Sequence, residues 1–182
     1  DPAVVTPTVE ALLRGGLTAI EFTVDSDGAY EAIAGWRADG RALVGAGTVR
    51  RVEEAEAAVD AGAQFLVSPS YSEAVVELAL AQGVPVLPGC FTPTEIDAAW
   101  QQGVTFVKLF PGAVAGTAYL RAVLNPLKDV EIVVTGGVDA GTARSFLDAG
   151  AVGVGVSTAQ LGQDEGPAAI ETAARMLVAA VR

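Results

Sequence analysis

The sequence predicts a closed barrel of alternating parallel strands and helices, and three features predict it. Short apolar segments recur along the chain, helical stretches separate them, and each helix stops at a glycine just before the next apolar segment. The segments are Thr18–Val24, Ala42–Gly45, Gln64–Ser68, Val84–Pro88, Val104–Phe110, Val130–Thr135 and Val152–Ser157. Each is rich in Val, Ile, Leu or Phe and reads as a buried parallel strand. Between them, stretches such as Val52–Val59 carry apolar residues at the helical period. Gly16, Gly62, Gly83, Gly103 and Gly150 stand where a helix end calls for a residue that tolerates the left-handed conformation.

A unit of roughly 20 to 26 residues that repeats in this way implies right-handed crossovers, in a closed barrel or an open doubly wound sheet. The barrel is preferred because the glycine-rich strand ends come late, at Thr135–Gly136–Gly137 and Gly153–Val154–Gly155–Val156–Ser157. An open dinucleotide-binding sheet carries its phosphate loop after the first strand, whereas barrels often hold phosphate after strands seven and eight. Seven strands can be counted, and the chain opens on a helix-like stretch, Thr8–Leu13. The N-terminal strand is therefore expected to be missing from this chain, and restoring it makes the two glycine-rich ends the seventh and eighth.

At 182 residues, 51% of them hydrophobic, the chain suits one domain spanning 1–182. Its apolar segments are far shorter than a membrane helix, and Asp1–Pro2–Ala3 lacks the pattern of a secretory signal, so a cytoplasmic location is expected. Cys90, the single cysteine, offers neither an internal disulfide nor a thiolate cluster. Histidine is absent, which removes imidazole-based triads and the commonest zinc ligand. No metal or cofactor is expected, and chemistry falls to carboxylate, lysine, hydroxyl or backbone groups. A net charge of −11 argues against a nucleic-acid partner.

Two lysines occur, and one of them, Lys108, lies inside the apolar segment Thr105–Phe110 near its carboxyl end. Burial penalises an ammonium there and favours a neutral, nucleophilic amine; the other reading is a buried stem with its head in solvent. Glu21 likewise interrupts an apolar strand. Alternation puts Ala19, Glu21 and Thr23 on one face, opposite Ile20, Phe22 and Val24, so Glu21 is expected to face the barrel interior. Two lone ionisable residues on inward faces read as a nucleophile and its proton-transfer partner, or as a buried ion pair, which is a poor stability device. Gly45–Ala46–Gly47–Thr48–Val49 offers backbone amides and a hydroxyl, or only a tight turn. Thr135–Gly136–Gly137–Val138 and Ser157–Thr158, each read as leading into a helix, could direct amides and a hydroxyl at an anion.

Taken in order, Gly15–Thr23, Val44–Val49, Ser68–Pro69, Leu87–Gly89, Phe106–Pro111 and Thr135–Gly137 resemble the 2-keto-3-deoxy-6-phosphogluconate / 4-hydroxy-2-oxoglutarate aldolases, over about residues 8 to 160. The resemblance implies a (β/α)8 TIM barrel, a homotrimer independent of metals, and a Schiff base between Lys108 and a small-molecule 2-oxo acid. It makes Glu21 the general acid/base and gives Thr48 the substrate carboxylate. Pro88 and Phe110 would line the pocket, and Gly136, Gly137 and Ser157 would bind phosphate. One departure is Asp25, where many members carry an arginine that binds carboxylate. A sugar-phosphate isomerase or epimerase working by proton transfer, and a non-catalytic ligand-binding or assembly barrel, are the competing readings.

Overall fold

The structure, a computed structural model, describes residues 2–182 and falls into two compact units. The first runs from Thr18 to Val107; the second combines Ala3–Leu17 with Lys108–Arg182.

In the first unit β1 (Ala19–Thr23), β2 (Leu43–Gly47), β3 (Leu66–Val67) and β4 (Val86–Leu87) form a parallel sheet in chain order. The crossovers are α2 (Ala29–Asp39), α3 (Val52–Asp60) and α4 (Glu73–Ala81). Ile20, Val44, Ala46, Leu66 and Val86 are buried along the strands, with Ile33, Ala55, Ala58, Val75 and Ala79 buried on the helices. Pro88 interrupts the next strand. It has no N–H for the ladder, so the segment continues separately as β5 (Gly89–Cys90) before α5 (Pro93–Gln101).

In the second unit α1 (Pro2–Arg14) comes first in the chain. Then follow β6 (Val107–Leu109), whose last two residues belong here, α6 (Gly112–Leu124), β7 (Ile132–Thr135), α7 (Ala143–Asp148), β8 (Gly153–Gly155) and α8 (Pro167–Val181). β7 and β8 pair in parallel with Thr135 opposite Gly155. Helices α1 and α8 touch closely. A Cβ on Gly15 would lie 2.4 Å from the Ala174 methyl, and Arg14 reaches Glu171 at 2.8 Å.

All seven predicted segments contain strand, six of them in shorter runs than the apolar pattern implied, while β2 runs past its segment to Gly47. The five helix-stop glycines all have φ between 67° and 109°. Among the described residues no helix is long and apolar enough to cross a membrane.

Candidate active site

Lys108 sits mid-strand in β6 between Val107 and Leu109, which are fully buried, and is itself only 8% exposed. Its Nζ lies 4.8 Å from the centroid of the Phe110 ring, two residues on and therefore on the same face. The same ring covers Gly136, where a Cβ would meet it at 2.8 Å. Lys108, Phe110 and Gly136 thus form one cluster at the carboxyl end of β6 and β7. Lys128, by contrast, is exposed.

Glu21 lies on the face of β1 opposite Ile20. Alternation holds on β1, since Ile20 is buried and Glu21 is not, but Ala19 and Glu21 are both exposed. In the described sheet β1 is a terminal strand paired only with β2. The carboxyl group leans over β2, where a Cβ on Gly47 would come within 2.9 Å of Cδ and Oε1. A Cβ on Gly45 would strike the Phe65 ring at 2.4 Å. The β2 glycines therefore make room for Phe65 and Glu21, a role the sequence reading of close-approaching amides missed.

Directly after Gly47 comes Thr48, with φ 60°, the one non-glycine residue described with positive φ. For a β-branched residue this is a strained conformation, of the kind that clusters at functional sites. The Val24 amide donates to the Gly47 carbonyl at 2.9 Å, which brings the loop carrying the exposed Asp25 alongside Thr48. Pro88 is buried beyond the end of β4.

At the other glycine-rich end Gly136 and Gly137 have φ 86° and 77°, with Gly137 exposed. The Gly136 carbonyl accepts from the Ala113 amide at 2.8 Å, which ties this loop to the start of α6. Neither expected helix start is an α-helical N-terminus. α7 begins only at Ala143, behind a turn in which Asp139 accepts from Thr142, and Ser157 leads into a short 3-10 turn, Thr158–Leu161. The macrodipole argument for an anion falls away here, leaving the glycine amides and the Ser157 hydroxyl. Ser157 already donates through both its amide and its hydroxyl to the Gln160 side-chain oxygen, so this exposed pair is aimed at an acceptor. Sequence reasoning passed over Thr135. Its hydroxyl is buried without a hydrogen-bond partner among the described residues, and its methyl would lie 2.9 Å from a Cβ on Gly155. An orphaned hydroxyl beside Gly136 is a ready donor or acceptor for a ligand.

The second unit thus carries a buried mid-strand lysine beneath an aromatic ring and beside a glycine-rich strand end, on a fold of alternating strands and helices. Residues 1–170 match the family model of the KDPG and KHG aldolases. The chain is 43% identical to the 2-dehydro-3-deoxy-phosphogluconate aldolase of Treponema pallidum, covering 78% of this chain and 68% of that one. It is 38% identical to the probable 2-dehydro-3-deoxy-6-phosphogalactonate aldolase of Rhizobium meliloti, over 80% of this chain and 69% of that one. It also superposes on the solved 4-hydroxy-2-oxoglutarate / 2-dehydro-3-deoxyphosphogluconate aldolase from TTHB1. There the TM-score is 0.86 and the identity 36%, over 97% of this chain and 87% of the other. The chain belongs to the KDPG and KHG aldolase family. It is an aldolase, a lyase, of the (β/α)8 TIM-barrel fold class.

Proposed function

We propose that Lys108 is the Schiff-base amine of this class I aldolase. Its substrates would be 2-keto-3-deoxy-6-phospho sugar acids or 4-hydroxy-2-oxoglutarate, cleaved to pyruvate or a related 2-oxo acid, or formed from them. The observation that carries the assignment is a lysine 8% exposed in the middle of an apolar strand, against an aromatic face that also suits an iminium cation. The amine adds to the C2 carbonyl, and loss of water leaves an iminium. The C4 hydroxyl gives up its proton, the C3–C4 electron pair moves into the iminium, and C4 departs as an aldehyde. The enamine left behind takes a proton at C3, and water releases pyruvate and the free amine.

In this reading Glu21 moves the protons. Thr48 holds the substrate carboxylate, a task the carboxylate of Asp25 cannot perform. Pro88 and Phe110 bound the 2-oxo acid. Gly136, Gly137 and Ser157 take the terminal phosphate through the donors now turned to Gln160 or open to solvent. We also place the enzyme in the cytoplasm as a homotrimer, on the family likeness.

The decisive measurement is trapping with pyruvate and borohydride followed by peptide mass mapping. Lys108 should be reduced to a stable secondary amine, the exposed Lys128 should not, and Lys108→Arg should abolish the adduct, because a guanidinium stays protonated. An unmodified Lys108 in folded protein would sink the assignment in favour of a non-covalent proton-transfer barrel.

A further inference from the structure

In the second unit the ends of the neighbouring strands β6 and β7 meet through glycines. A Cβ on Gly112 would lie 2.5 Å from a Val134 methyl and 2.9 Å from the Thr135 carbonyl oxygen. One on Gly136 would meet Cδ2 and Cε2 of Phe110 at 2.8 Å and the Pro111 Cα at 3.3 Å. The Ala113 amide, donating to the Gly136 carbonyl at 2.8 Å, closes the seam. One edge of the Phe110 ring therefore rests on the Gly136 backbone, with no room for a methyl group between them.

The face of the same ring looks at Lys108 Nζ, 4.8 Å from its centroid. An aromatic face carries negative charge density and attracts a cation most strongly where water is excluded. Lys108 is almost wholly buried, so that condition is met. In the Schiff-base sequence the carbinolamine is neutral. It takes up one proton and loses water, and a positive charge develops on the nitrogen as the C=N bond forms. The ring stands where that charge arises.

We propose that Gly136 seats the Phe110 ring against the Lys108 nitrogen, and that the ring face favours the iminium over the neutral carbinolamine. The inference rests on the Schiff-base reading. It gives Gly136 a task in the covalent step apart from any contact with phosphate, and Phe110 an electrostatic task besides bounding the substrate. A ring that served only as an apolar wall would act through its shape. A ring that holds a cation acts through the charge density of its face, which ring fluorines withdraw while adding little volume.

The test replaces Phe110 by phenylalanines carrying one, two and three ring fluorines and saturates each enzyme with pyruvate labelled with carbon-13 at C2. The planar iminium carbon and the tetrahedral carbinolamine carbon give separate NMR signals, and thermal stability is measured alongside. The ratio of iminium to carbinolamine should fall stepwise with fluorine number, by about threefold or more across the series, while stability holds. Gly136→Ala, which displaces the ring, should lower the ratio in the same direction. Pyruvate carries no phosphate, so a lost phosphate contact cannot be the cause. If Gly136→Ala fails to fold, Gly136→Asn presents the same Cβ on a residue that tolerates the left-handed backbone and should act alike. A bound pool of the same composition from none to three fluorines overturns the inference and leaves the aldolase reading standing. A graded fluorine response with an unchanged ratio in the folded Gly136 variants overturns the seating role. No borohydride trapping at Lys108 in the unaltered enzyme brings down the Schiff-base reading and this inference together.

Discussion

The glycine pair that ends β2, Gly45 and Gly47, and the pair after β7, Gly136 and Gly137, exclude side chains for different reasons. The β2 glycines have ordinary φ, and what forbids a side chain is volume: Phe65 occupies the space over Gly45 and the Glu21 carboxyl the space over Gly47. The pair after β7 has positive φ at both positions, and a Cβ on Gly137 would also meet the Ala113 methyl at 2.5 Å. One end is filled and places side chains. The other adds a left-handed backbone to close neighbours, with the Phe110 ring over Gly136 as well. A glycine-rich strand end is therefore not one device, and its substitutions should separate the two kinds.

The largest loss is expected at Gly137. Alanine there would hold a left-handed conformation, costing on the order of 1–3 kcal/mol, and would press on Ala113, which is anchored on the first turn of α6. Together these should lower unfolding stability by about 2–5 kcal/mol in urea titration. A loss below about 1 kcal/mol would show that the loop relaxes and that the tight approach to Ala113 is not required.

At the filled end the two glycines should part company. Gly45→Ala forces the Phe65 ring aside and should cost about 1–3 kcal/mol, as overpacking does. Gly47→Ala meets the far end of a flexible side chain that can swing away, so stability should change by less than about 1 kcal/mol. Turnover should instead fall by about 10²-fold, towards the level of Glu21→Gln, because the displaced carboxyl is the proposed proton carrier. Full activity in Gly47→Ala would remove Glu21, in its present position, from the mechanism.

The same contrast explains what the sequence could and could not reveal. Strand and helix alternation was legible because it rests on local periodicity, and the helix stops because φ near 90° is a local demand on one residue. Lys108 was legible because a cation in the middle of an apolar run is conspicuous by itself. Ser68 was not. It ends the predicted Gln64–Ser68 strand, and the partner of its hydroxyl, the Gly89 amide, lies 21 residues further along the chain, beyond the reach of local pattern. The exposure of Glu21 was likewise hidden, since alternation gives the face of a side chain but not what covers that face. The late start of α7 had a local signal, Asp139 followed at three residues by Thr142, that the glycine pair overshadowed.

The smallest effects are expected from two exposed carboxylates, one in each unit, Glu95 in a helix cap and Asp139 in the turn that leads into α7, and they sharpen the comparison through pH. Glu95 accepts from the amides of Thr92 and Phe91 and from the Thr92 hydroxyl, which together hold its pKa below the ordinary 4.5 against a small opposing effect of burial. Asp139 is held below its ordinary 3.8 by the hydroxyl and the amide of Thr142. In both cases the folded state binds the proton more weakly than the unfolded state. The stabilisation is therefore complete above the unfolded value and is lost as pH falls through the folded one. Glu95→Gln and Asp139→Asn should each be slightly less stable than the parent protein at pH 7. On acidification the deficit of Glu95→Gln should begin to shrink near pH 4.5, and that of Asp139→Asn only near 3.8. Urea midpoints measured from pH 7 to pH 3 would read both. Deficits that stay constant across that range would show that both carboxylates act as neutral hydrogen-bond acceptors, and that charge contributes nothing at either position.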